Sequence, residues 1–571
     1  MKRLNGIIRK IFVNFDTRLQ LGIIAFFVGV SSGLAAILLN YGLKKLSFLF
    51  HSAKSSLLLI LIPALGIFLT VVILKYIIKD FGGHGIPNVI HSISIDGGKL
   101  KLRSSFSKLI GGLITISTGN SAGPEAPVVV SGAAIGSNIA RYFKSNEMIK
   151  IAVTGSGAAA AIAAIFNAPL TGFIFTMEII IGEWTTPYML PVAISSVTGT
   201  IVSRMFNGNQ IPFAHRLYDV GINDIIASIG LAIVISMFSL LFIKSLKNIS
   251  TIMEKYLKNS MVKGVIGGLV VGLISFQIIE VRGEGYELIK KIISDNYSTS
   301  ILFLLLIIIL KIIATSLTLG SGGTGGVFAP ALLIGSAGGF LYYLILQSLL
   351  PNVNFGPASL FALVGMGGMV SGTLAAPLTG IFLIVEITSG YDAILPLLLV
   401  SFLSSLIVKL FEKHSIYHYE LIKQGVFLRP RTDGRILSDI KPSELLETDQ
   451  IKITPNMLLK DLVPIIKKSK RNYFPVISTK DEQFLGIVNF NDVKEFIFEP
   501  NLLSSIIIEE IMQTDFITLS LDENLIQIQK KFDKSKSWSL PVVKNGKFLG
   551  LISKATMLDL YRKELKAQTE Q

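Results

Sequence analysis

The sequence predicts a polytopic α-helical membrane domain, built on an internal repeat with broken helices, followed by a soluble α/β domain that is itself duplicated. Three observations carry this. Charge is unevenly spread: residues 431–571 hold 21 basic and 20 acidic side chains in 141 positions, against 32 and 18 in the preceding 430, where an ordinary soluble domain carries roughly 25% charged residues. Long uncharged runs broken by Gly and Pro fill the first part, and matched motifs recur in both parts. The first 430 residues are too apolar for a soluble fold. The last 141 have the size and balance of one cytosolic domain.

Residues 1–18 are polar and basic, without the apolar core and small-residue cleavage site of a removed signal, and are expected to stay cytoplasmic. Uncharged runs long enough to cross a hydrocarbon core, which takes ~20 helical residues, follow at Leu19–Leu43, Ser55–Leu74 and Ile225–Ile243. Between Ile312 and Val385 there is no charge in 74 positions, yet Gly320–Pro330 and Pro351–Pro357 interrupt the run. Loose backbone inside apolar sequence is tolerated only where it is buried in protein or lines a wet cavity. Interrupted helices meeting near the midplane are a transporter signature.

The membrane part, 19–425, divides into repeats of roughly 19–215 and 222–425. Ala168-Pro-Leu-Thr-Gly172 with Glu178-Ile179 recurs as Ala376-Pro-Leu-Thr-Gly380 with Glu386-Ile387. Upstream lie Gly155-Ser-Gly157 and Gly365-Met-Gly367, and before those Gly123-Pro-Glu-Ala-Pro127 and Gly326-Val-Phe-Ala-Pro330. Small residues alone recur in any membrane protein, but three elements in one order argue for duplication, with a site between the halves. After a linker at 426–440, the soluble part reads as two copies, 441–500 and 505–565, with a tail at 566–571. Phe474-Pro-Val476, Phe484-Leu-Gly-Ile487 and a helix from Asn491 are echoed by Leu540-Pro-Val542, Phe548-Leu-Gly-Leu551 and a helix from Lys554. The turns Thr479–Glu482 and Lys544–Gly546 suit short hairpins.

Between Lys108 and Arg141 the one charged residue is Glu125, in a Gly-Pro-x-x-Pro frame that cannot be continuous helix. A carboxylate in apolar surroundings must be paired, solvated or protonated, which makes it a switch candidate. If the frame ends one helix and starts another, the free backbone N–H groups hold the carboxylate when it swings in and a small anion when it swings out. Gly326-Val-Phe328 offers the same geometry without a charge. Neither segment contains Lys or Arg, so the anion is held by partial charges and can leave again.

Gly83-His-Gly-Ile-Pro87, Gly123-Pro-Glu-Ala-Pro127, Gly326-Val-Phe-Ala-Pro330 and Tyr417 resemble the four anion-pathway segments of the CLC family of chloride channels and chloride/proton antiporters. The resemblance covers nearly the whole chain. It implies an inverted repeat, a homodimer with a separate pore in each subunit, and transport of chloride or a similar small anion across the cytoplasmic membrane, with the N-terminus and soluble domain cytoplasmic. By carry-over Glu125 is the gating, proton-accepting glutamate. Gly83, His84, Gly85, Ile86, Pro87, Gly123, Ala126, Gly326, Val327, Phe328 and Tyr417 line the anion path. Two departures stand out. His84 replaces a common serine, so that contact is an imidazole N–H, a backbone amide or absent. Ile179 stands where antiporters often carry a second, internal glutamate; either protons reach Glu125 by water or the protein is a passive channel. Glu178 is read as structural, since Glu386 occupies the matching place.

The soluble repeat resembles a pair of CBS domains, whose ribose-binding Ser/Thr and Asp pair is split here. The first copy has Asn489 and Asp492, the second Ser553 and Thr556. An adenine nucleotide is thus an open alternative to a purely structural, dimerising module. No other cofactor is expected.

Other classes fit poorly. The +15 net charge belongs almost wholly to the membrane part, where basic residues mark cytoplasmic loops, so nucleic acid is not implied. With no cysteine, there are neither disulfides nor thiolate metal sites. An intramembrane metalloprotease needs His-Glu-x-x-His, and no His here precedes Glu. His414 and His418, at i and i+4, are read as one face of a juxtamembrane helix, and no metal site is predicted. A cation transporter would want several acidic oxygens along its path. The chain is expected to be a transporter, not an enzyme.

Overall fold

The computed structural model describes residues 17–51, 56–80, 85–209, 213, 217–423, 440–469, 471–535 and 537–569. These fall into two compact units, within 1–430 and within 431–571.

The first unit is built from helices. Its first half contains α1 (Thr17–His51), α2 (Ser56–Val72, running on as a π-helical stretch to Ile78), α3 (Ile86–Ser94), α4 (Ser104–Ser117), α5 (Glu125–Tyr142), α6 (Glu147–Phe166), α7 (Pro169–Phe175, continuing as a π-helical stretch to Ile181) and α8 (Thr186–Asn207). Its second half contains α9 (Ile222–Tyr256), α10 (Ser260–Gln277), α11 (Tyr286–Ile293), α12 (Ile301–Gly320), α13 (Phe328–Leu349), α14 (Ala358–Leu374), α15 (Pro377–Thr388), α16 (Ile394–Phe411) and α17 (Ile416–Lys423). Nine helices among the described residues are long and apolar enough to cross a bilayer. The uncharged run is interrupted where Gly and Pro cluster: α12 stops at Gly320, α13 begins at Phe328, and α14 begins just after Pro357.

The duplication is structural, α4 to α8 corresponding in order to α12 to α16. Small residues let the paired helices touch backbone to backbone. On α5 and α6, a Cβ added to Gly132 or to Gly157 would strike the other's carbonyl oxygen. On α13 and α14, one added to Gly335 would lie 2.5 Å from the Gly365 carbonyl oxygen. This pairing corrects the sequence alignment by two residues, because Gly157, and not Gly155, is the counterpart of Gly365. Gly155 is small for a different reason, since a Cβ there would meet Ile181 at 2.7 Å. Both α6 and α14 end on a left-handed residue, Asn167 (φ 56) and Ala375 (φ 56), and a proline starts the next helix in each case.

The second unit contains α18 (Leu459–Lys468), a hairpin of β1 (Tyr473–Ile477) and β2 (Phe484–Asn489), α19 (Phe490–Ile497), α20 (Leu525–Ser535), a hairpin of β3 (Ser539–Lys544) and β4 (Lys547–Ser553), and α21 (Lys554–Thr569). Asn545 (φ 52) and Gly546 (φ 78) form a two-residue turn between β3 and β4, with both residues left-handed as the twist of a tight hairpin requires. Parallel bridges from Ile453 to Val476 and from Leu519 to Val542 repeat in the two copies. The copies also exchange bridges: Glu447, near the start of the first, pairs with Leu551 of the second, and Gln513, near the start of the second, pairs with Ile487 of the first. Ile477, Ile487, Phe548 and Leu551 pack into a shared apolar cluster.

Candidate anion site and its gate

Glu125 is the first residue of α5, with Pro124 as its N-cap, and Phe328 is the first of α13, with Val327 as its N-cap. Gly123 and Gly326, just before them, form an antiparallel bridge, the Gly123 N–H donating to the Gly326 carbonyl (2.9 Å) and the Gly326 N–H to the Gly123 carbonyl (2.7 Å). Two helix N-termini, one from each repeat, are thereby tied together. Each leaves backbone N–H groups without an intrahelical acceptor.

The Glu125 side chain is fully buried and folds back into this junction. Its Oε2 lies against both glycines: a Cβ on Gly326 would sit 2.6 Å from that oxygen, and one on Gly123 closer still. The amides of Glu125 itself and of Ala329 act on the carboxyl, yet Oε2 makes no hydrogen bond of ordinary geometry among the described residues. Oε1 accepts a hydrogen bond from the Tyr286 hydroxyl at 3.2 Å. Leaving a buried carboxyl oxygen unpaired is expensive. An acceptor in that condition, between two positive helix ends, suits a group that is held loosely and can leave.

The other predicted residues are distributed around this junction. Ala126, Val327 and Phe328 are buried at the two N-termini, and the Phe328 ring packs against Phe166 (6.0 Å) and Phe175 (5.7 Å). Tyr417, wholly buried on α17, lies within electrostatic reach of Glu125. Gly85 is left-handed (φ 75) as the N-cap of α3, with Ile86 and Pro87 buried in its first turn, and α3 packs against α17. Gly83 and His84 lie outside the described residues, as does the N-terminal segment before Thr17. His418 Nδ1 is 3.1 Å from the Ser415 hydroxyl, and His91 Nδ1 lies 3.2 Å from the Asp96 carboxylate.

Two cations escaped sequence reasoning. Lys108 is buried beside Gly85, its Nζ 3.6 Å from where a Cβ on that glycine would be, and Asp80 and Glu420 act on it. Lys311 is wholly buried on α12 and donates to the carbonyls of Val281 (3.0 Å) and Gly283 (2.7 Å). The signal was present: Gly83-x-Gly85 with Lys108 recurs as Gly283-x-Gly285 with Lys311, and Gly285 is also a left-handed N-cap (φ 91).

Glu178 and Glu386 have structural partners. Glu178 accepts from the Leu378 and Thr379 amides and the Thr379 hydroxyl, and Glu386 from the Leu170 and Thr171 amides and the Thr171 hydroxyl.

Residues 66–409 match the family of voltage gated chloride channels, and 443–499 and 508–563 each match the CBS domain. The chain belongs to the voltage gated chloride channel family. Among its members, a ClcB-like chloride channel protein of Ralstonia nicotianae is 31% identical over 66% of this chain and 90% of its own length. The H(+)/Cl(-) exchange transporter ClcA of Vibrio cholerae serotype O1 is 32% identical over 54% of this chain and 67% of its own length. The solved structure of a eukaryotic CLC transporter shares the fold, with a TM-score of 0.64 at 18% identity over 97% of this chain and 98% of that one.

In this member of the family the candidate nucleotide-binding groups of the CBS pair are taken by protein. Ser553 Oγ donates to Glu447 Oε1 at 3.0 Å, and the Thr556 hydroxyl bonds the same oxygen. Glu447 also pairs with Arg471 at 2.6 Å. In the first copy Asp492 accepts from Gln513 Nε2 (2.8 Å), and Asn489 caps α19 through Asn491 N (3.1 Å).

Proposed function

We propose that this protein transports chloride across the membrane in exchange for protons, with Glu125 as both gate and proton acceptor. Family membership and the exchanger among its relatives support the coupled reaction. The observation that carries the gate is the Glu125 carboxyl, buried between two helix N-termini with Oε2 against Gly123 and Gly326. While it occupies that junction, the N–H groups and the space an anion would use are filled. Protonation removes the charge that holds it there, so it swings out and a chloride ion takes its place against the same partial charges. Gly83, His84, Gly85, Ile86 and Pro87 before and within α3, Gly123, Ala126, Gly326, Val327 and Phe328 at the junction, and the Tyr417 hydroxyl line the anion path in this reading.

The test is simultaneous recording of chloride and proton flux in liposomes. An imposed chloride gradient drives protons uphill in the wild type, and Glu125→Gln transports chloride independently of pH with no proton movement. A Glu125→Gln protein that keeps its pH response sinks the gate. One observation favours a second reading: Ile179, buried at 5% exposure, can carry no proton from the cytoplasmic side. A passive channel would move chloride and leave pH unchanged.

In the same reading the protein is a homodimer of the cytoplasmic membrane, with one pathway per subunit and the N-terminus and CBS pair in the cytoplasm. The CBS pair acts as a structural module, because Glu447 and Gln513 already engage Ser553, Thr556 and Asp492.

A further inference from the structure

We propose that Tyr286 is a positioning residue that latches the Glu125 gate shut from outside the anion path, its hydroxyl holding Oε1 while Oε2 rests on Gly123 and Gly326; this rests on the reading of Glu125 as the gate. The latch stands on three observations. First, the Tyr286 O–H donates a side-chain hydrogen bond to Glu125 Oε1 at 3.2 Å, beside the amides of Glu125 and Ala329 that also act on the carboxyl. Second, the hydroxyl is held in place. Tyr286 begins α11 directly after the left-handed Gly285, whose missing Cβ leaves room for Leu333. Its ring packs edge-on against Phe213 at 6.2 Å, and Phe213 donates its N–H to the Ile387 carbonyl (3.2 Å).

Third, the loop before it is pinned at both edges. The buried Lys311 ammonium binds the carbonyls of Val281 and Gly283, and the Gly283 N–H donates to the Gly119 carbonyl (3.3 Å), a few residues before the gate. Segment and gate therefore share one rigid frame, in which the Tyr286 oxygen meets Oε1 only when the carboxyl is folded in. An interaction made in one state alone shifts the equilibrium towards that state. The charged and titratable groups acting here are Glu284 and Tyr286 on the Glu125 carboxyl, Tyr417 in reach of it from α17, and Lys311 and Lys44 on Glu284.

The experiment is a double-mutant cycle on chloride efflux from liposomes at a fixed alkaline pH, where the closed gate limits the rate. Tyr286→Phe keeps the ring on Phe213 and removes only the donor. It is expected to raise efflux about fivefold, the ratio that one net hydrogen bond confers, and to leave thermal stability in detergent near that of the wild type. In a Glu125→Ala background, where the latch has nothing to hold, Tyr286→Phe should change nothing. Wild-type efflux in Tyr286→Phe, or the same increase with and without Glu125, overturns the latch. Glu125→Ala is compared with the wild type in the same series: unchanged efflux there fails the gate itself, and the latch with it.

Discussion

Glu178 and Glu386 each cap the helix that carries the other. Glu178, in the π-helical continuation of α7, accepts hydrogen bonds of 3.1, 2.7 and 2.7 Å from Leu378 and Thr379 at the start of α15. Glu386, on α15, accepts bonds of 2.8, 2.7 and 2.7 Å from Leu170 and Thr171 at the start of α7. A carboxylate at a helix N-terminus satisfies amides that have no intrahelical partner and complements the positive helix end. The reciprocal arrangement fastens the two repeats to each other at matching points.

Truncating either carboxylate leaves the same three donors unsatisfied, so Glu178→Ala and Glu386→Ala should be equally damaging. Each is expected to cost about 3 kcal/mol, in the range for hydrogen bonds to charged groups, measured as loss of thermal stability in detergent. If Glu178→Ala kept full stability and lost only proton movement, Glu178 would instead be a proton carrier substituting for the residue missing at Ile179.

The backbone contact of α5 with α6 predicts that Gly157→Ala disrupts packing, because its methyl group would strike the Gly132 carbonyl. Overpacking of this kind costs about 1–3 kcal/mol. A smaller folded fraction in size-exclusion profiles of membrane extracts is the expected result, whereas Gly182→Ala, with open space around its Cβ, should lose only the strain of a left-handed residue.

Lys311→Met should do two things at once. It strips the Val281 and Gly283 carbonyls of their donor, at a cost of about 3 kcal/mol, and it frees the segment that aims Tyr286. Chloride efflux at alkaline pH should rise, as expected for Tyr286→Phe, but with lowered thermal stability. Efflux unchanged in a folded Lys311→Met protein would show that the loop holds its course without the lysine.

Calorimetric titration of the wild-type protein with ATP is expected to give no binding heat, since Ser553 and Thr556 both bond Glu447. Thr556→Asp alone sets one carboxylate against another and should destabilise the CBS pair. Glu447→Ala with Thr556→Asp removes the occupant and completes the Ser-and-Asp pair, so it is the variant expected to bind. Wild-type binding that Glu447→Ala does not strengthen would show that Glu447 is no obstacle.

Local signals in the chain carried the membrane unit a long way. Where charge vanishes, helices lie in the apolar phase. Where Gly and Pro cluster, as at Gly320–Pro330, those helices break, because proline lacks an N–H and glycine has no Cβ. Glu125 was visible as an isolated carboxylate between two prolines, and the pairing of Glu178 with Glu386 followed from the repeat. Register was less legible: two Gly-x-Gly strings look equivalent, but which glycine touches a neighbouring backbone depends on how the helices cross.

The composition, the breaks and the lone carboxylate of Glu125 are properties of short stretches of chain, set by hydropathy and backbone sterics before any long-range contact forms. The partners are another matter. That Tyr286 reaches Glu125, that Lys311 pins the loop beneath it, and that Glu447 bonds Ser553 and Thr556 all depend on residues far apart in the chain being brought within about 3 Å, the reach of a hydrogen bond. Only the packed fold selects those pairs, because each buried polar group takes whichever complementary group the close-packed helices and hairpins place against it.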